Sequence, residues 1–369
     1  MFNRLLNHFK NFDWVIFGSV ILLVVFGLAV IYSVALGSGE AALLNFKKQC
    51  VFVGIGIFLL FLFSFIDFHF LYGLNAWIYA AGILILILVL IFGETVRGTT
   101  GWFNFLGFSL QPSEVVKVIL VVALAKYFSA ASYKTNQIKH LIATGFLVML
   151  PAGLILLQPD FGSAMIVILF WLFMMTIFGL NKKQILAMGL IAIIIFTFAF
   201  FFLLKDYQKK RVITFFNPNL SSLDQGYNVA QAIIAIGAGK IFGRGLGFGS
   251  QSQLKFLPES QNDFIFAVIG EELGLLGASI LLFFFAVLFF RIIYWARRLD
   301  NNFGLYILLG TIALLFIEMF INIGMNVGLL PVVGISLPFV SYGGSSLIAT
   351  LVLIGIVESI VIKARHTSG

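Results

Sequence analysis

The chain has 369 residues, 61% of them apolar and 10% charged, where soluble domains average about 45–50% and about 25%. That excludes a water-soluble globule, whose surface 23 Lys+Arg and 15 Asp+Glu could not cover. At about 20 apolar residues per spanning helix, the apolar content fills roughly ten spans and leaves nothing for a large extramembrane domain.

Long apolar runs between polar breaks predict spanning helices near 14–36, 50–66, 71–93, 112–128, 140–157, 161–179, 184–204, 264–290, 303–328 and 343–362. The first run is too long for a signal-peptide core and is expected to remain as an anchor. Gln158-Pro159-Asp160 reads as a tight turn between two spans. An even count puts both termini on one side. With that side cytoplasmic, twelve Lys and Arg fall at inner ends, against Lys47, Lys48 and Arg97 in the short outer loops. The expected class is an all-α integral membrane protein of about ten helices, N-in/C-in, one polytopic domain over 1–369 in the cell membrane. Its one long extracytoplasmic loop runs over 205–263. Membrane lipids are expected partners and nucleic acid is not. The single cysteine, Cys50, excludes an internal disulfide, and no Cys/His spacing suits zinc.

All four histidines (His8, His69, His140 and His366) fall at inner ends in this topology. Proton transfer on the outer face then falls to a carboxylate, a lysine or a tyrosine.

The loop 205–263 concentrates unusual residues. Its apolar portion Tyr227 to Ile236 predicts a short helix at the membrane interface. Gly237, Gly239, Gly243, Gly245, Gly247 and Gly249 follow, a spacing that lets backbone approach a ligand and offer amides to phosphate, or that forms an interfacial hinge. The loop holds seven Lys and Arg against four acids. Lys209, Lys210 and Arg211 suit lipid headgroups, whereas Lys240 and Arg244, beside the glycines, are the better candidates for an anionic ligand. Asp263 is the last polar residue before an apolar run. A partly desolvated carboxylate there suits a general base near neutral pH, and the compatible reading as a helix cap is the better one on spacing alone. Glu114 and Lys117, at i and i+3 on one helical face inside the membrane, can pair with each other or with a partner helix.

Asn322 with Gly328-Leu329 and Pro331, followed by Leu337-Pro338-Phe339-Val340-Ser341-Tyr342-Gly343-Gly344-Ser345-Ser346, resembles the signature of the SEDS family of cell-wall synthesis, which includes RodA, FtsW and their sporulation relatives. Further similarity lies at Lys48-Gln49, Trp102, Gln111-Pro112-Ser113-Glu114 with Lys117, Gln158-Pro159-Asp160, Gly226-Tyr227 with Gln231, and Leu257-Pro258-Glu259 through Asp263 to Glu271-Glu272. Gly101, Asn262, Val333 and Ser336 depart from the common pattern, and residues 250–254 look more like RodA than FtsW. The resemblance implies a glycosyltransferase that polymerises lipid II, the undecaprenyl-pyrophosphate-linked disaccharide pentapeptide, on the outer face of the membrane during elongation. It implies Asp263 as the catalytic carboxylate, Lys240, Arg244, Trp102, Gln231, Ser341 and Tyr342 as substrate-binding residues, and the Glu114–Lys117 pair beside the active cavity. It also implies a class B penicillin-binding protein as the cross-linking partner. Lys and Arg side chains, or a divalent cation, would stabilise the departing charge. No bound metal is assigned. A lipid II flippase and a non-enzymatic scaffold are the rival classes.

Overall fold

The computed structural model describes residues 8–96, 98–105, 108–131, 137–179, 225–254 and 256–367, with isolated positions between 183 and 209. In chain order the helices are α1 (Trp14–Ser38), α2 (Glu40–Phe65), α3 (His69–Phe92), α4 (Pro112–Ala130), α5 (Gln137–Leu157), α6 (Phe161–Phe178), α7 (Gln225–Gly239), α8 (Ser250–Gln253), α9 (Ile265–Ala296), α10 (Asn302–Asn326) and α11 (Gly344–Thr367). Among the described residues eight helices are long and apolar enough to cross a bilayer. The protein is thus an all-helical, multi-pass membrane protein apart from one small sheet. The predicted span 184–204 lies almost wholly outside the described residues.

α4 is excluded from those eight by Glu114, Lys117 and Lys126, yet it is buried along most of its length and packs against α3, α10 and α11. It is the polar-bearing centre of the bundle, where neighbouring helices rather than lipid face its charges. Helix α2 begins ten residues before the predicted 50, so Lys47 and Lys48 ride on a helix instead of in a loop. The run Glu40-Ala41-Ala42-Leu43-Leu44 consists of good helix formers with an acid at the favoured end.

A three-stranded antiparallel sheet, absent from the sequence reading, fills the connection from α3 to α4: β1 (Glu94–Val96), β2 (Thr99–Phe105) and β3 (Phe108–Leu110). Its first turn uses Gly98 at φ +83, and Trp102 stands opposite Glu94. The amide of Thr100 donates to the carbonyl of Gln158 at 3.1 Å, pinning the sheet to the turn between α5 and α6. In that turn Asp160 caps α6, accepting from the Ser163 amide at 3.0 Å.

The four histidines gather at one end of the bundle. His8 stacks on Phe65 and bonds Ser64, His366 meets Asn11, and His69 meets Lys363. His140 bonds Tyr127 near the end of α4, which the Lys126–Tyr72 cation–π contact ties to the same end.

That end is locked by Asp13, a fully buried carboxylate capping α1 through the amides of Val15 and Ile16. It also accepts from Arg291 Nε and Nη2, Arg365 Nη2 and Trp295 Nε1, so one carboxylate joins α1, α9 and α11. Burial alone would raise the Asp13 carboxyl, but hydrogen bonds from Arg291 and Trp295 and the Arg291 charge hold it below its ordinary value. Its contribution is therefore complete above 3.8, the ordinary value, and fades as pH falls through the lower folded value. Asp13→Ala should destabilise the fold by about 2 kcal/mol, a discount from the buried-pair range because both arginines are partly exposed. Thermal unfolding in detergent checks this, and an unchanged midpoint would make the cluster ornamental.

Candidate active site

At the opposite end, a cavity of about 380 Å³ opens between the sheet, the α5–α6 turn, the start of α9 and the segment between α10 and α11. Asp263 and Asn262 line it together with Trp102, Tyr342, Asp160 and Lys48.

Asp263 is placed by its backbone. Its carbonyl accepts from Asn322 Nδ2 at 3.1 Å and Asn326 Nδ2 at 2.9 Å. These asparagines lie one turn apart on α10. Asn322 also holds the Ile335 carbonyl, and Asn326 Oδ1 accepts the Ala267 amide in the first turn of α9. The helix begins at Ile265 with Phe264 at the cap and no side-chain cap bond. The capping alternative for Asp263 is thus set aside by geometry, and its side chain lines the cavity instead. Across from it Gly334 takes φ +73, and a Cβ there would stand 3.5 Å from Asp263 Oδ2.

The floor is polar. Lys117 Nζ lies 2.8 Å from Glu114 Oε2 and also contacts Glu318 Oε1, all three side chains being buried. The predicted pair is therefore a triad, with its third member on α10. Beside it Asp160 accepts from Gln111 Nε2 at 3.0 Å. Burial raises the Asp160 carboxyl against the hydrogen bonds from Ser163.

Ser341 does not line the cavity. Its hydroxyl donates to the Asn262 carbonyl at 2.7 Å and accepts the Leu337 amide at 2.8 Å, fixing the turn from which the neighbouring Tyr342 reaches the cavity wall. Lys240, Arg244 and Gln231 are also absent from its lining.

Around Lys240 and Arg244 the glycine spacing has another use. α9 is broken at Gly274, whose φ of 66 and ψ of −162 no helix can carry. The amides of Arg244 and Gly245 donate to the freed carbonyls of Glu271 and Glu272 at 3.0 and 2.9 Å. The amides of Leu275 and Leu276 donate in turn to the carbonyls of Lys240 and Ile241. A Cβ on Gly243 would meet the Glu272 carbonyl at 2.2 Å, so glycine is needed for backbone to reach backbone. The Arg244 and Gly245 amides that the sequence suggested for phosphate satisfy a helix. The Glu271 carboxylate accepts the Gln251 and Ser252 amides of α8, and Arg244 Nη1 donates to Ser250 Oγ at 2.6 Å.

Among the described residues no group of three or more His, Cys, Asp or Glu side chains is arranged to hold a metal ion.

The model of the FtsW, RodA and SpoVE proteins, described as cell cycle proteins, matches residues 13–366. The chain belongs to that family. Within it, the chain is 39% identical over 289 residues to the peptidoglycan glycosyltransferase MrdB of Escherichia coli, covering 78% of each. It is 32% identical to the stage V sporulation protein E of Bacillus subtilis, over 94% of this chain and 96% of that protein. Among solved structures it matches a chain of a peptidoglycan synthase complex that coordinates polymerization and crosslinking, at TM-score 0.79 and 30% identity, covering 96% and 98% of the two chains. The rod shape determining protein RodA of Thermus thermophilus matches at TM-score 0.70 and 28% identity, over 95% and 96%. Membership of the FtsW/RodA/SpoVE family accounts for the common fold, and the cavity around Asp263 is where this member brings the signature's Tyr342 and Gly343 to the α9 carboxylate motif.

Proposed function

We propose that the chain polymerises lipid II at this cavity, with Asp263 as the general base. Its curated relatives include a peptidoglycan glycosyltransferase. The observation that carries the assignment is the placement of Asp263 in a polar cavity at the end of the bundle remote from every histidine. The Asp263 carboxylate takes the proton of the acceptor sugar hydroxyl, whose oxygen attacks the donor's anomeric carbon with inversion. The new glycosidic C–O bond forms as the bond to pyrophosphate breaks, and the electron pair leaves on undecaprenyl pyrophosphate. The distribution of Lys and Arg supports a cavity facing the extracytoplasmic side. The likeness to MrdB and RodA favours elongation, and the likeness to a chain of a polymerization-and-crosslinking complex supports a class B penicillin-binding protein as partner.

Purified protein incubated with lipid II should yield glycan polymers resolvable from the monomer. If no polymer forms and labelled lipid II instead crosses vesicles containing the protein, the transporter reading replaces this one.

A further inference from the structure

Asp263 and Tyr342 line one cavity from two different loops. The side chain that grips the second loop lies behind the wall, on α2. Gln49 is buried, at 2% exposure, and is absent from the cavity lining. Its Nε2 donates to the Ser341 carbonyl and its Oε1 accepts the Gly343 amide, both at 3.2 Å. These backbone partners fix which way the amide faces, because a carbonyl needs a donor and an N–H an acceptor. One side chain thus holds the peptide groups on either side of Tyr342, as a residue on a neighbouring strand would. The amide of Tyr342 itself donates to the Gln261 carbonyl at 2.8 Å.

Gln261, also buried, extends the brace. Its Nε2 donates to the Ile31 carbonyl of α1 at 3.3 Å, and its Oε1 accepts from Asn45 Nδ2 at 3.2 Å. Asn45 and Gln49 lie one turn apart on α2, as Asn322 and Asn326 do on α10. Two pairs of amides on two helices therefore hold the loops that carry Asp263 and Tyr342. All four are neutral. The lock at the other end of the bundle gives Asp13 two arginines, but a charge at Gln261, two residues from Asp263, would shift the proton affinity of the base.

We infer that Gln49 is a positioning residue, which holds Tyr342 in register with Asp263 without touching substrate. The inference rests on the proposed function for the reaction it serves.

The test reads the Tyr342 ring by NMR in the full chain carrying isotopically labelled tyrosine. The chain has 10 tyrosines, and the Tyr342 resonance is the one missing from Tyr342→Phe. Burial raises the Tyr342 phenol above its ordinary value, so the ring does not itself titrate between about pH 5 and 9. Gln49→Met keeps the length of the side chain and removes both bonds. It should shift or broaden the Tyr342 resonance and lower polymerisation of saturating lipid II roughly tenfold to a hundredfold, the scale of a displacement of up to about 1 Å. Thermal unfolding confirms its fold. Gln49→Glu supplies the rescue: its carboxyl, when protonated, donates to the Ser341 carbonyl and accepts from Gly343 as the amide does, and when ionised it loses the donor. In that variant the Tyr342 resonance should be native at the acid end of the range and displaced at the alkaline end, a step the native protein lacks. An unmoved resonance in Gln49→Met overturns the inference, and so does a moved resonance with an undiminished rate. If Gln49→Met is not recovered folded, a native resonance in Gln49→Glu at every pH overturns it instead. A native protein that makes no glycan, while Gln49→Met still moves the resonance, sinks the polymerase reading and leaves the brace standing.

Discussion

Asp263→Asn should fold normally, bind lipid II and lose polymerisation by a factor on the order of 100 or more, the scale of a lost general base. The fold should survive because α10 holds this residue by its carbonyl, through Asn322 and Asn326, and the substitution leaves the carbonyl untouched. No cap is lost, since α9 carries no side-chain cap bond. Glu259 provides the contrast. It sits at φ 52 in the preceding turn, where its carboxylate accepts from Asn262 Nδ2 at 2.8 Å. A glutamine there keeps an acceptor, so Glu259→Gln should retain most activity. Glycan formation by the two variants in parallel separates the roles, and a near-normal rate for Asp263→Asn would remove it as the base.

The second large effect is expected at Lys117. Lys117→Met strands two buried carboxylates, Glu114 and Glu318, and should destabilise the protein by about 3 to 5 kcal/mol, the range for breaking a buried pair. Replacing Glu114 and Lys117 together still leaves Glu318, one of whose oxygens has no hydrogen-bond partner among the described residues. Only the triple change Glu114→Gln, Lys117→Met, Glu318→Gln should restore much of the loss. Unfolding midpoints across this set measure the coupling, and strictly additive losses would mean the three groups act independently.

Much of this architecture was legible because lipid imposes one rule on every span: a long run of apolar residues. The helices predicted at 161–179 and 303–328 differ from Phe161–Phe178 and Asn302–Asn326 by at most two residues at either end. Where helix continues beyond the apolar run, as from Glu40 to Gln49, hydropathy alone misses it. The sheet escaped for a related reason, since three- and seven-residue strands carry too short a pattern. Asp263 was visible as the last polar residue before the apolar run of a span. Glu318 was not visible as the partner of Lys117, because 201 residues separate them and no local spacing links them. The glycines from 237 to 249 announced close backbone approach without saying to what, and phosphate and protein backbone make the same demand of a chain.

The break in α9 also bears on how the protein is made. A helix interrupted inside a bilayer exposes carbonyls and amides that lipid cannot satisfy. Here the segment that satisfies them, Lys240 to Gly245, leaves the ribosome before Gly274 does. The chain therefore has the patch for its broken helix in hand before that helix inserts. Moving the loop to the other side of α9 in a rearranged gene would reverse the order of synthesis and leave the break open to lipid during insertion.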